Sequence, residues 1–196
     1  MLTCLLDGCK HRKDVTDWNR RTWRGTPHPR TSCVMKLLCY YLELIQRSVS
    51  LYYFAYGSNM NWPQMQRRCP SAGFVCVARL ANYQFGITRH SRLRDCGTAN
   101  IFPIDQQEVW GIVYEVSAED LVILDGFEDG YRREILPVRA FADGKQPLNA
   151  LVYIAEFEKD VPLPSAEYKR LILDGAKHWN LPASYLSMLE KIQAIK

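Results

Sequence analysis

Two short stretches carry the chemistry in this sequence. The first is Tyr56-Gly57-Ser58-Asn59, which follows directly on the apolar aromatic run Tyr53-Phe54-Ala55. Gly57 is expected to take φ > 0 there, and Ser58 and Asn59 favour turns and helix caps, so that successive backbone N–H groups converge on a carboxylate or an oxyanion. The second is acidic. Ser117 to Phe127 reads as a helix opened by a Ser117–Asp120 capping pair, and Asp125, Glu128 and Asp129 crowd its end before Gly130. A carboxylate at a helix C-terminus is opposed by the macrodipole, and shielding of Glu128 by Phe127 and Tyr131 would favour its neutral form further. That is the poised state a general acid/base needs near neutral pH. Each stretch alone has a plainer reading, since most such turns merely connect elements and most acidic helix ends are solvated.

In combination, Phe54-Ala55-Tyr56-Gly57-Ser58-Asn59-Met60, then Val109-Trp110-Gly111, then Leu124-Asp125 with Glu128 and Tyr131 resemble the γ-glutamylcyclotransferase family in order and spacing. Pro164 to Arg170, Gly175-Ala176-Lys177 and Asn180-Leu181-Pro182, with Tyr185 and Leu189 beyond, resemble its C-terminal helix pair, so the likeness spans about residues 51–195. It implies an α+β (mixed) fold, a small β-barrel with helices packed outside. The implied reaction converts γ-glutamyl amino acids, or γ-glutamyl amines, to 5-oxoproline plus the free amino acid or amine, without metal or cofactor. By this resemblance Glu128 is the catalytic acid/base, Tyr56, Gly57, Ser58 and Asn59 hold the substrate, and Tyr131 and Tyr153 line the pocket and offer hydroxyl hydrogen bonds. Met60 stands where many members have leucine, and Gly126-Phe127 replaces a more polar pair. Asp129 is the alternative base if the loop is shifted by one residue. Asn59 argues against the glutathione-specific branch of the fold, which usually has leucine after Gly-Ser. A non-catalytic small-molecule binding or interaction domain is the alternative, but such a module has no need of a proton carrier opposite an anion-binding turn.

The elements that must position these groups are mostly short strands. Phe74–Ala78, Tyr83–Ile87, Thr98–Phe102, Val109–Val116, Arg133–Val138 and Leu148–Phe157 read as strands, with helices after Met60, Ser165 and Pro182. In the first late helix Tyr168, Leu171, Ile172, Gly175 and Trp179 share a face, with Gly175 allowing close packing on the barrel. A chain of 196 residues, 47% hydrophobic, can bury one sizeable core. Its net charge of +4 is concentrated in residues 1–36, where eight Lys/Arg face three Asp/Glu. The remainder is close to neutral, so the basic balance belongs to the arm and says nothing of a nucleic-acid groove in the domain.

Residues 1–50 therefore read as a basic, irregular N-terminal arm followed by a linking helix, and 51–196 as the functional domain. Val34–Ile45 shows a helical apolar face, but Lys36, Glu43 and Arg47 interrupt it too early for a membrane span. An upstream start with Met35 as the natural one, and an organellar transit peptide, are open readings of the arm, with Asp7, Asp14 and Asp17 counting against the latter. Seven cysteines without repeating spacing suit a reduced, cytoplasmic protein. Cys4, Cys9, His11, His28 and Cys33 lack the Cys-x-x-Cys pair that zinc would favour. His90-Ser91 with Asp95 lacks a nucleophile elbow and reads as a solvated loop. The expected partner is a small γ-glutamyl molecule, with neither nucleic acid nor membrane, and a homodimer is an open possibility.

Overall fold

The computed structural model describes residues 51–141 and 146–195, so the readings of the arm, its linking helix and its cysteines lie outside the described residues. Five strands close into a barrel in the order β1-β3-β2-β4-β5. They are β1 (Leu51–Ala55), β2 (Gly73–Ser91), β3 (Cys96–Val116), β4 (Tyr131–Ala140) and β5 (Leu148–Ala155). Adjacent pairs are antiparallel except β1 with β5, where Tyr53 pairs Leu151 in parallel and completes the ring. Among the described residues four α-helices flank it, α1 (Trp62–Arg68), α2 (Ala118–Phe127), α3 (Ala166–His178) and α4 (Ala183–Glu190), with a 3-10 turn over Ser58–Met60.

The strands are fewer and longer than the sequence pattern predicts, because Phe74–Ala78 with Tyr83–Ile87, and Thr98–Phe102 with Val109–Val116, merge into one bent hairpin. The bend is made by Asn82 (φ 61°) and Gln106 (φ 62°), with the Asn82 Oδ1 accepting from the Gln106 N–H at 3.3 Å. The short polar side chain of Asn82 suits the left-handed region and bonds locally. Beyond the bend, the distal half of the hairpin carries Arg89, Thr98 and Ala99. Asn100, fully buried, ties it to β5 by exchanging bonds with the backbone of Ala155 at 2.9 and 3.0 Å.

The core comprises Phe54, Ile112, Val113 and Tyr114 with Leu124, Val138, Val152, Ile172 and Leu189. Val109 to Tyr114 are buried without alternation, as a strand is when both of its faces are covered. Ser117 and Asp120 form a full capping box on α2, Asn61 caps α1 and Ser165 caps α3. No described helix is long and apolar enough to cross a membrane. Cys69 and Cys96 are buried free thiols.

Candidate active site

The turn Gly57–Met60 is clamped from behind. A Cβ on Gly175 of α3 would come within 2.5 Å of the Met60 carbonyl carbon and 2.6 Å of the Asn61 nitrogen, so only glycine lets the helix approach this closely. Gly175 thus packs on the turn itself rather than on barrel strands. The Met60 carbonyl accepts from Trp179 Nε1 at 2.9 Å and Tyr114 Oη at 3.4 Å. Trp179 is in turn stacked on Phe74 at 4.3 Å between ring centroids. The turn's front is open: among the described residues the Gly57, Ser58 and Asn59 N–H groups form no hydrogen bond, as expected at the start of a helical turn.

Gly57 differs from expectation in its backbone, with φ −111°. Positive φ is not what calls for glycine here. A Cβ would lie 3.1 Å from the Ala99 Cβ and 3.5 Å from Tyr168 Oη, so the requirement is space against β3 and α3.

Asn59 links this wall to the acid. Its Nδ2 donates to Tyr53 Oη at 2.8 Å and to Glu128 Oε1 at 3.0 Å, while its Oδ1 accepts from Gln64 Nε2 at 3.2 Å and Arg68 at 2.8 Å. All the hydrogen-bonding capacity of the amide is used, so its orientation towards Glu128 is settled by its partners. Gln64 also donates to Ser58 Oγ at 3.0 Å and accepts from Arg94 at 3.2 Å.

Glu128 is the first residue past α2, with its side chain 16% exposed and the Arg68 guanidinium 4.0 Å away. Burial raises its pKa above the usual carboxylate value; Arg68, Asn59 and Arg94 pull the other way without cancelling it. Phe127 contributes differently from expectation. It is 40% exposed and packs under Arg68, 4.1 Å from guanidinium carbon to ring centroid. Past Glu128 the chain reverses, with the Tyr131 N–H bonded to the Glu128 carbonyl at 2.9 Å and Gly130 at φ 80°, and the Arg89 guanidinium lies where a Gly130 Cβ would be. Asp125 pairs with Arg133 and receives the Tyr153 hydroxyl at 2.8 Å. Asp129 is exposed and does not line the cavity.

That cavity is lined by Tyr53, Tyr56, Gly57, Ser58, Asn59 and Glu128, together with Ala99, Tyr131, Tyr153 and Tyr168, and has a volume of about 30 Å³. Every site residue expected from the sequence borders it. The protons of the Tyr131 and Tyr153 hydroxyls are committed within the protein, Tyr131 donating to the Ala99 carbonyl at 2.7 Å and Tyr153 to Asp125, which leaves these hydroxyls acceptors only. Sequence reasoning missed Tyr53, Ala99 and Tyr168 in the lining, and Gln64, Arg68 and Arg94 behind it. Gln64 and Arg68 stand one helical turn apart just after the Gly-Ser-Asn turn, polar groups on the face that packs inward, which is a readable signal. His90 Nε2 lies 3.7 Å from Asp95 at the exposed hairpin tip. Among the described residues no three His, Cys, Asp or Glu side chains are grouped to hold a metal ion.

The arrangement can hold an anionic oxygen on one wall while a single carboxylate accepts or gives a proton on the other. Several known proteins are similar to this chain. Residues 108–189 match the model of the AIG2-like family. The chain is similar to a γ-glutamylcyclotransferase of Homo sapiens, 36% identical over 74% of this chain and 79% of that protein, and to that of Bos taurus, 35% identical over 76% and 81%. A solved structure of a γ-glutamyl cyclotransferase superposes with a TM-score of 0.68 at 32% identity, covering 75% of this chain and 90% of the other.

Proposed function

The chain belongs to the γ-glutamylcyclotransferase family, and from that premise we propose that it cyclises γ-glutamyl amino acids, or γ-glutamyl amines, to 5-oxoproline with Glu128 as the acid/base. The observation that carries this is the placement of one shielded carboxylate, with a raised pKa, across a small cavity from three unpaired backbone N–H groups.

The substrate's α-amine attacks its own γ-carbonyl carbon, so proximity is intramolecular and the protein must fold the substrate and move protons. Glu128, ionised, takes a proton from the attacking nitrogen as the new C–N bond forms. The proton then passes to the nitrogen of the departing amine, the original C–N bond breaks, and the carbonyl is restored in the five-membered lactam. Glu128 ends ionised, ready for another cycle. Burial serves this step because it brings the proton affinity of the carboxyl closer to that of the working pH. The Gly57, Ser58 and Asn59 amides hold anionic oxygen on the substrate, and Asn59 aims the carboxylate.

A cytoplasmic location fits the buried unbridged thiols Cys69 and Cys96. The test is a panel of γ-glutamyl amino acids and γ-glutamyl amines with 5-oxoproline as the readout. Catalytic turnover of at least one class is the expected result; no 5-oxoproline from any of them would contradict the proposal.

A further inference from the structure

Where the long hairpin bends, at Asn82 and Gln106, its ladder is interrupted: Ala81 pairs with Glu108 and Tyr83 with Pro103, which leaves 104–107 without ladder partners in β2. Beside that interruption a cleft of about 280 Å³ lies between the hairpin and α4. It shares no lining residue with the catalytic cavity. Its apolar walls are Phe85 of β2, Trp110 of β3, and Tyr185 and Met188 of α4, and Glu108 is the one charged group among its lining residues.

Glu108 stands two residues before Trp110, on the same face of β3. Its Oε1 accepts from Trp110 Nε1 at 2.9 Å, which holds the carboxylate against the indole. Its Oε2 receives Arg79 at 2.9 Å, an exposed pair whose attraction water screens. Each carboxylate oxygen keeps an unused lone pair. Tyr185 is 7% exposed, and among the described residues its buried hydroxyl has no hydrogen-bond partner, the Trp110 backbone N–H approaching it without reaching bonding geometry. A buried hydroxyl left unpaired is costly. Burial first, and the nearby charge of Glu108 with it, hold this phenol in its neutral form.

Aromatic surfaces around a carboxylate, with no cation in the lining, attract an organic cation and repel an anion. The geometry points to this cleft as a binding site for a small organic ammonium ion, whose charged nitrogen donates to Glu108, with the Tyr185 hydroxyl as second acceptor, and whose carbon body rests on Phe85, Trp110 and Met188. The bonds to the carboxylate are charge-assisted and set the preference for a cation; the aromatic and thioether surfaces supply contact area. The inference stands apart from the cyclotransferase reading, because neither Glu128 nor the Gly57–Met60 turn takes part in it.

The test titrates the full chain by calorimetry with phenethylamine, a cation at neutral pH, and with phenethyl alcohol and hydrocinnamate, molecules of similar size that are neutral and anionic. The parent should bind the amine saturably and about tenfold or more tightly than the alcohol, as one charge-assisted bond implies, and should not bind the anion. Glu108→Gln, which keeps an acceptor for Trp110, should bring the amine down to the level of the alcohol. Ser184→Trp, at an exposed position in the cleft's lining, should block both. Absence of saturable amine binding by the parent would overturn the inference, as would equal affinity for amine and alcohol. Amine binding unchanged in either variant would overturn it too, and unchanged binding in both would put the amine at another place, such as the Glu128 cavity.

Discussion

The two walls of the cavity are built differently. The Gly57–Met60 turn is fixed from behind by the glycine contact of α3, by two hydrogen bonds to one carbonyl and by stacked aromatics, and its front is left unpaired. The Glu128 wall is a chain reversal beside exposed Asp129 and partly exposed Phe127, held mainly by polar side chains that approach from elsewhere: Asn59, Arg68 and Arg89. A rigid wall suits an array of dipoles, whose value depends on their not having to reorganise. A polar-held wall suits a proton carrier, because the same contacts that place the carboxylate set its proton affinity.

If the difference is real, damage to the two walls should look different. Gly175→Ala pushes a methyl into the backbone of the turn, and a cost of about 3 kcal/mol in stability is expected, together with loss of turnover, read by thermal melts and 5-oxoproline release. Asn59→Leu, of similar size, removes the donor to Glu128 without adding bulk. It should lower kcat by about thirtyfold, corresponding to about 2 kcal/mol for a hydrogen bond to a charged group.

Arg68→Met should act through pH. Arg68 lowers the Glu128 pKa against the larger effect of burial, so its removal raises that pKa further. The base form is then lost at higher pH, and the acidic limb of the kcat/KM profile should move to alkaline pH while activity above the limb largely remains. The groups facing Glu128 besides Arg68 and Asn59 are Tyr53, Tyr56, Tyr131, Tyr168, Asp125 and Arg94; the five neutral or acidic ones cannot replace a lost cation, and a compensating movement of Arg94 would show as an unmoved limb. Asp129→Asn, outside the cavity, should change turnover by no more than about twofold.

Much of this contrast is legible in the sequence. The turn, Glu128 and the caps on α2 depend on local residue types, which a sequence displays directly. What it conceals depends on distant contacts. Gly57 reads as a positive-φ residue until Ala99 and Tyr168 are seen crowding it. Tyr168 sits on an apolar helical face, where an aromatic residue reads as packing, and only the Ala99 N–H shows that its proton is spare. Tyr131 and Tyr153 carry hydroxyls in the expected place, but whether a proton is free is settled by acceptors elsewhere in the chain, Ala99 on β3 and Asp125 on α2. The continuous hairpin is hidden because Asn82 and Gln106 resemble turn residues between separate strands, and their role as a bend within one ladder is a matter of register.

The claim most in need of a direct test is that Glu128 is buried at a cost to stability because it moves the proton. Its pKa is raised on folding, so the folded state favours the protonated form. The penalty is therefore absent below the unfolded carboxylate value, grows as pH rises through it and is complete above the folded pKa. Glu128→Gln keeps the shape but neither titrates nor carries the proton. Measured together, turnover should fall about a hundredfold or more, while the melting temperature should rise at neutral pH and return towards the parent's in acid. Near-parent release of 5-oxoproline by Glu128→Gln, with no gain in stability at neutral pH, would contradict the account.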